Sequence, residues 1–203
     1  MKEGAKPHHA WAHNTPRCHT QTPEAEAERL VKTGVLKKVN RSEWAAPTFV
    51  IPKKDGSARF ISDFRELNKR MLRKPHPVPN GQDMLLNLER FQWATSPDLN
   101  VGCHHIRLDP SSEELCAIVL PFGKCECQAI PMGLCNSPDI FQERMSELMD
   151  GLAFIRTCID DLLCLTKGSF TDHLKKTELV LSLIHISEPT RLRRISYAVF
   201  CLK

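Results

Sequence analysis

Two short apolar runs, Phe154 to Cys158 and Leu162 to Thr166, are separated only by Ile159-Asp160-Asp161. The pattern predicts a β-hairpin with two acids at its tip. On a regular strand adjacent side chains point to opposite faces, whereas a tight turn lets both approach one point. Two carboxylates at the tip of a buried hairpin are costly unless a cation neutralises them. Asp98 ends another predicted strand, after Phe91-Gln92-Trp93. Brought beside the pair, it makes three hard oxygen donors, a set suited to two magnesium ions roughly 3.5–4 Å apart. On spacing alone, a solvated turn is the commoner reading of an Asp-Asp pair.

The chain has 203 residues, which is one domain by length and two at most. No apolar run approaches the roughly 18–20 residues of a membrane helix, and the N-terminus has no apolar signal core. An intracellular setting is expected. Residues 1–21 read as irregular. Thr22-Pro23-Glu24 reads as a helix start, and Gly34 as its stop. Thr48 to Pro52 and Ala58 to Asp63 predict one hairpin, and Leu115 to Leu120 with Lys124 to Ile130 a second. Helices are expected over Asp83 to Arg90, after Asn136-Ser137-Pro138, and after Ser169. Hairpins mixed with helices, without strict βαβ alternation, define an α+β fold.

Nine cysteines include only one close pair, Cys125 and Cys127, and no C-x-x-C spacing. A zinc finger or ribbon is not indicated, and the thiols read as reduced. His8-His9, His13 and His104-His105 leave a Cys/His metal-binding module as a distant alternative. Residues 181–203 resemble an in-frame translation of a sequencing-library adapter and are expected to make no selected core contacts. They carry four basic residues and one acidic one. The rest of the chain therefore keeps 24 basic and 23 acidic residues, net +1 against +4 for the whole. Net charge is no argument for nucleic-acid binding here.

Several longer motifs, in order, carry a family resemblance. Lys53-Lys54-Asp55-Gly56 precedes Arg59-Phe60, and Asp63-Phe64-Arg65-Glu66-Leu67-Asn68 follows. Asp98 opens a segment running to Asp109-Pro110. Pro131-Met132-Gly133-Leu134 leads through Asn136-Ser137-Pro138 to Phe141-Gln142. Cys158-Ile159-Asp160-Asp161 closes the series. Over residues 24–180 the chain resembles the fingers and palm of reverse transcriptases, particularly those of gypsy-type LTR retrotransposon polyproteins. The resemblance implies a right-hand polymerase domain over 22–180, ending before a thumb. It implies RNA-directed DNA polymerisation, with two Mg2+ ions held by Asp98, Asp160 and Asp161. Lys53, Arg59, Cys103 and Gln142 would serve the nucleotide, and Arg65, Asn68, Gly133 and Pro138 the template. Implied partners are an RNA or DNA template-primer, deoxynucleoside triphosphates and the RNase H and integrase of a Pol polyprotein, with no membrane. The implied setting is cytoplasm or the element's virus-like particle.

The departures are specific. Cys158 stands where the family has an aromatic residue, and Cys103 where it has the ring that excludes a 2′-hydroxyl. Many Cys with a single Tyr, Tyr197, suggest a decayed copy. An inactive remnant of the same fold, with at most weak nucleic-acid binding, is the rival reading.

Overall fold

The computed structural model describes residues 1–12, 21–52, 58–79, 91–99, 102–187 and 195–201. In chain order the elements are α1 (Gln21–Lys32), β1 (Leu36–Val39), β2 (Ala46–Pro52), β3 (Ala58–Ser62), α2 (Arg65–Arg70), β4 (Trp93–Leu99) and α3 (Pro110–Glu113). Then follow β5 (Ala117–Leu120), β6 (Gly123–Cys127), α4 (Ser137–Leu148), β7 (Ile155–Cys158), β8 (Asp161–Thr166), α5 (Phe170–Ser187) and β9 (Ile195–Cys201). The chain divides into two interleaved units. One comprises residues 1–73 and 106–137, the other 74–105 and 138–203.

The first unit holds a five-stranded sheet in the order β1-β6-β5-β2-β3. The predicted hairpin between Ala46 and Ser62 is present, with Val50 opposite Phe60 and Ile51 opposite Arg59. Its turn, 53–57, lies outside the described residues. Glu24 in the first turn of α1, and Arg29 and Lys32 in the last, complement the helix dipole. Gly34, at φ 70°, supplies the left-handed stop. Ala27 and Leu30 of α1 join Leu36, Trp44, Phe64, Leu67, Ile118 and Leu120 in one core. Cys116, Cys125 and Cys127 belong to it too. Burial raises all three thiol pKa values, that of Cys116 to about 12. They are protonated core side chains.

The second unit holds a four-stranded sheet in the order β7-β8-β4-β9. Leu99, Phe141, Met145, Leu162 and Cys164 are buried in it. His173, on α5, is fully buried; its Nε2 lies 2.7 Å from Thr95 Oγ1 and its Nδ1 2.7 Å from Thr166 Oγ1. That polar bridge joins β4, β8 and α5. Ser169 caps α5 as expected, its Oγ accepting from Asp172 N at 3.2 Å. The expected helix over Asp83 to Arg90 lies outside the described residues.

Helix α5 does not stop at residue 180. Val180 and Ile184, one turn apart, are both fully buried, so the apolar stripe carries the helix onward. Strand β9 pairs with β4 from Leu99↔Ile195 to Trp93↔Cys201. Pairing to an open sheet edge is made by backbone groups, so a β-prone segment of any origin can occupy it. No helix among the described residues is long and apolar enough to cross a membrane.

Candidate active site

The β7–β8 hairpin forms as the sequence predicts. Cys158 pairs with Asp161, leaving Ile159 and Asp160 as a two-residue turn. Ile159 has φ 53°. A β-branched residue in that left-handed region is strained by about 1–3 kcal/mol. On its other side β8 pairs with β4, with Asp98 opposite Asp161. Leu99 N donates to Asp160 O at 3.3 Å. Register alone thus brings the backbones of all three predicted acids to one end of one sheet. Residues opposite each other in an antiparallel pair have Cα atoms about 4.5–5.5 Å apart.

Asp160 is half-buried and its Oδ1 is shielded from solvent; Asp161 is exposed. Carboxylate oxygens are hard donors, so the set fits magnesium better than zinc or copper. Among the described side chains, which exclude that of Asp98, no group of three His, Cys, Asp or Glu is gathered for a metal.

Cys103 lies in the 3-10 turn Gly102–His105 and is 6% exposed. Its thiol is pushed up to about 11, first by burial and then by the charge of Asp160. The predicted pocket residue therefore lies within electrostatic reach of Asp160. Cys158 is half-buried and donates Sγ–H to Pro79 O at 3.2 Å.

Gln142, in the first half of α4, is 1% exposed. Its Oε1 accepts from Ile159 N at 2.7 Å, and its Nε2 donates to Thr157 Oγ1 at 3.1 Å. Its amide is therefore engaged with the turn that carries Asp160. At the start of the same helix, Asp139 is buried and accepts from His76 N at 3.0 Å. Pro138, beside it, is exposed.

The remaining predicted residues belong to the first unit. Arg59 is exposed on β3. Arg65 is also exposed, and its guanidinium holds Asp63 through Nε at 2.8 Å and Nη2 at 2.6 Å. Those hydrogen bonds raise its pKa. Asn68 bridges to the Gly133 loop: Nδ2 donates to Gly133 O at 2.8 Å, and Oδ1 accepts from Cys135 N at 2.9 Å. Gly133 has φ 99°, and a Cβ there would meet Ser62 O at 3.4 Å. Lys53 lies outside the described residues. Sequence reasoning did not anticipate the Thr95–His173–Thr166 bridge; its signal is two hydroxyl residues at inward positions of apolar strands.

The backbones of three aspartates thus meet at one end of a β sheet, beside a hairpin turn with positive φ. Residues 51–187 match the family described as reverse transcriptase (RNA-dependent DNA polymerase), and the chain belongs to that family. It is 29% identical to the retrovirus-related Pol polyprotein from transposon 297 of Drosophila melanogaster, over 84% of this chain and 17% of that protein. It is 28% identical to the Pol polyprotein from transposon gypsy of the same fly, over 77% of this chain and 16% of that protein. The enzymatic polyprotein of Cestrum yellow leaf curling virus is 30% identical over 77% of this chain and 25% of that protein. The chain thus spans a quarter or less of the length of these relatives. Among solved structures, prototype foamy virus protease-reverse transcriptase superposes with TM-score 0.80, at 22% identity, over 96% of this chain and 25% of that one. A foamy viral protease-reverse transcriptase in complex with RNA/DNA hybrid gives TM-score 0.79 at 24% identity, over 91% of this chain and 25% of that one. These likenesses establish the fold.

Proposed function

We propose that this chain is part of a retrotransposon RNA-directed DNA polymerase that extends a primer with deoxynucleotides. The observation that carries the reading is the β4–β8–β7 register, which sets Asp98 opposite Asp161 with Asp160 in the intervening turn. In this reading Asp98, Asp160 and Asp161 hold two Mg2+ ions. When bound, such ions lower the pKa of a primer 3′-hydroxyl and stabilise the leaving pyrophosphate. Arg59 grips the triphosphate, since a guanidinium bonds phosphate bidentately, and Lys53 joins it. Cys103 borders the sugar. Arg65, Gly133 and Pro138 serve the template, with Asn68 holding the Gly133 loop in shape. The partners are an RNA or DNA template-primer and the remainder of a Pol polyprotein, in the cytoplasm or a virus-like particle.

The small thiols Cys103 and Cys158 favour a second reading, an inactive remnant that retains weak nucleic-acid binding. Primer extension with Mg2+ by a polymerase carrying this chain separates the two. Extension that is lost in Asp160→Asn supports the first. Template-primer binding without extension supports the second.

A further inference from the structure

We propose that Gln142 is the positioning residue of the Asp160–Asp161 turn: its buried amide fixes the backbone of Ile159 and so sets how the two carboxylates leave the hairpin. The inference rests on the reading of those carboxylates as the reacting centre.

The turn has only two residues, and its first, Ile159, is the single non-glycine residue with positive φ among those described. Two-residue hairpin turns of types I′ and II′ take Gly or Asn at that position because a Cβ is disfavoured there. Isoleucine persists at such a φ only where its surroundings over-determine it. Gln142 supplies that constraint. Its Oε1 accepts the Ile159 N–H at 2.7 Å, while its Nε2 donates to Thr157 Oγ1 at 3.1 Å and reaches Thr157 O at 3.4 Å. Nε2 is also 3.2 Å from Ser146 Oγ, one helical turn further along α4. On the far side, Leu99 N holds Asp160 O. The turn is thus pinned at Thr157, Ile159 and Asp160.

The choice of side chain follows from its chemistry. Gln presents an acceptor and donors at once; Glu keeps the acceptor and loses the donors, and Met loses both. At 1% exposure, water cannot replace what is lost. Gln142 so placed need not touch the nucleotide to govern the site.

The test uses the full 203-residue chain, amide hydrogen exchange read by NMR, and Mn2+ as the metal probe. Gln142→Met is expected to speed exchange at Ile159 by about tenfold or more, with Leu163 in the neighbouring β7–β8 ladder unchanged, and to weaken Mn2+ binding by a similar factor. Gln142→Glu should keep Ile159 protected. Adding Ile159→Gly to Gln142→Met should restore Mn2+ affinity, because glycine adopts this φ without help. Unchanged Ile159 exchange in Gln142→Met, or no recovery in the double variant, overturns the proposal. Should Gln142→Met not fold, a folded double variant supports the proposal, and an unfolded one overturns it. Asp160→Asn separates the two readings. If it leaves Mn2+ affinity intact while Gln142→Met still loosens Ile159, the metal site falls and the positioning role stands.

Discussion

Asp98 and Asp161 stand opposite each other in the β4–β8 register, one on each of two adjacent antiparallel strands. Like charges so placed oppose each other, by about 0.2–1 kcal/mol. Stability and activity should therefore move in opposite directions at this pair. Asp161→Asn is expected to raise the metal-free stability of the chain by a few tenths of a kcal/mol in urea denaturation. In a polymerase carrying the chain it should lower primer extension by on the order of 10²–10³, as should Asp98→Asn. Asp160→Asn should be among the worst. Near-normal extension by Asp160→Asn would sink the site assignment.

Cys103 tests the sugar side of the site. In the proposed reading Cys103 borders the sugar, where a ring would leave no room for a 2′-hydroxyl; rejection of an added hydroxyl needs a steric or desolvation cost in the competing complex. A polymerase carrying Cys103 is expected to incorporate ribonucleotides at least about tenfold more readily, relative to deoxynucleotides, than its Cys103→Tyr variant. The measurement is the ratio of incorporation efficiencies in each. Equal ratios would show that Cys103 is not the gate.

His173 should make the second unit acid-sensitive. Burial lowers its pKa from the ordinary 6.5, Asp172 working against that shift and Lys176 with it. The folded state therefore binds the proton less readily than the unfolded one. The stability this lends is fully present above pH 6.5 and is lost as pH falls through the lowered folded value. Urea midpoints measured from pH 8 to pH 5 should drop in the wild type and drop less in His173→Phe. That variant should be less stable at pH 8 by about 2–4 kcal/mol, because the Thr95 and Thr166 hydroxyls lose their partner. A flat wild-type profile would refute the linkage.

The C-terminal segment divides at Ser187. Removing 188–203 takes away β9 and opens the edge of β4, so thermal stability should change little while self-association rises. Light scattering on the truncated chain reads this directly. Removing 181–203 also deletes Ile184, which is fully buried, and should lower stability by about 2–5 kcal/mol. Equal stability in the two truncations would show that Ile184 contributes nothing to the core.

Much of the local structure was legible. The runs around Ile159-Asp160-Asp161, the Thr48 to Asp63 hairpin and the Asn136-Ser137-Pro138 helix start each carry their own short-range signal, and each appears within a few residues of its expected place. Strand β1, with exposed Lys37 and Lys38 at its centre, has no such signal; its pairing with β6 creates it. The short helix α3, absent from the sequence expectations, is capped by Asp109, which accepts from Ser111 N, with Pro110 in its first turn. Spacing alone did not disclose that Asp98 and Asp161 are partners, because that pairing is set by two strands far apart in the chain. The motif resemblance implies only that Asp98 shares a site with Asp160 and Asp161; the strand partnership is seen in the register. Nor could residue types show that Gln142 reaches the turn, since the contact depends on how α4 is laid against β7.

The interleaving of the two units has a consequence for synthesis on the ribosome. The chain passes from one unit to the other after residues 73, 105 and 137. Strand β4 is made with the second unit's first segment, but its partner β8 begins only at Asp161. At ordinary elongation rates of about 5–20 residues per second, β4 waits roughly 3–12 seconds for that strand. Throughout that interval the nascent chain holds an unpaired β4 bearing Asp98, while all five strands of the first unit's sheet have been made. Chaperone demand during translation should therefore peak between the emergence of Leu99 and that of Thr166.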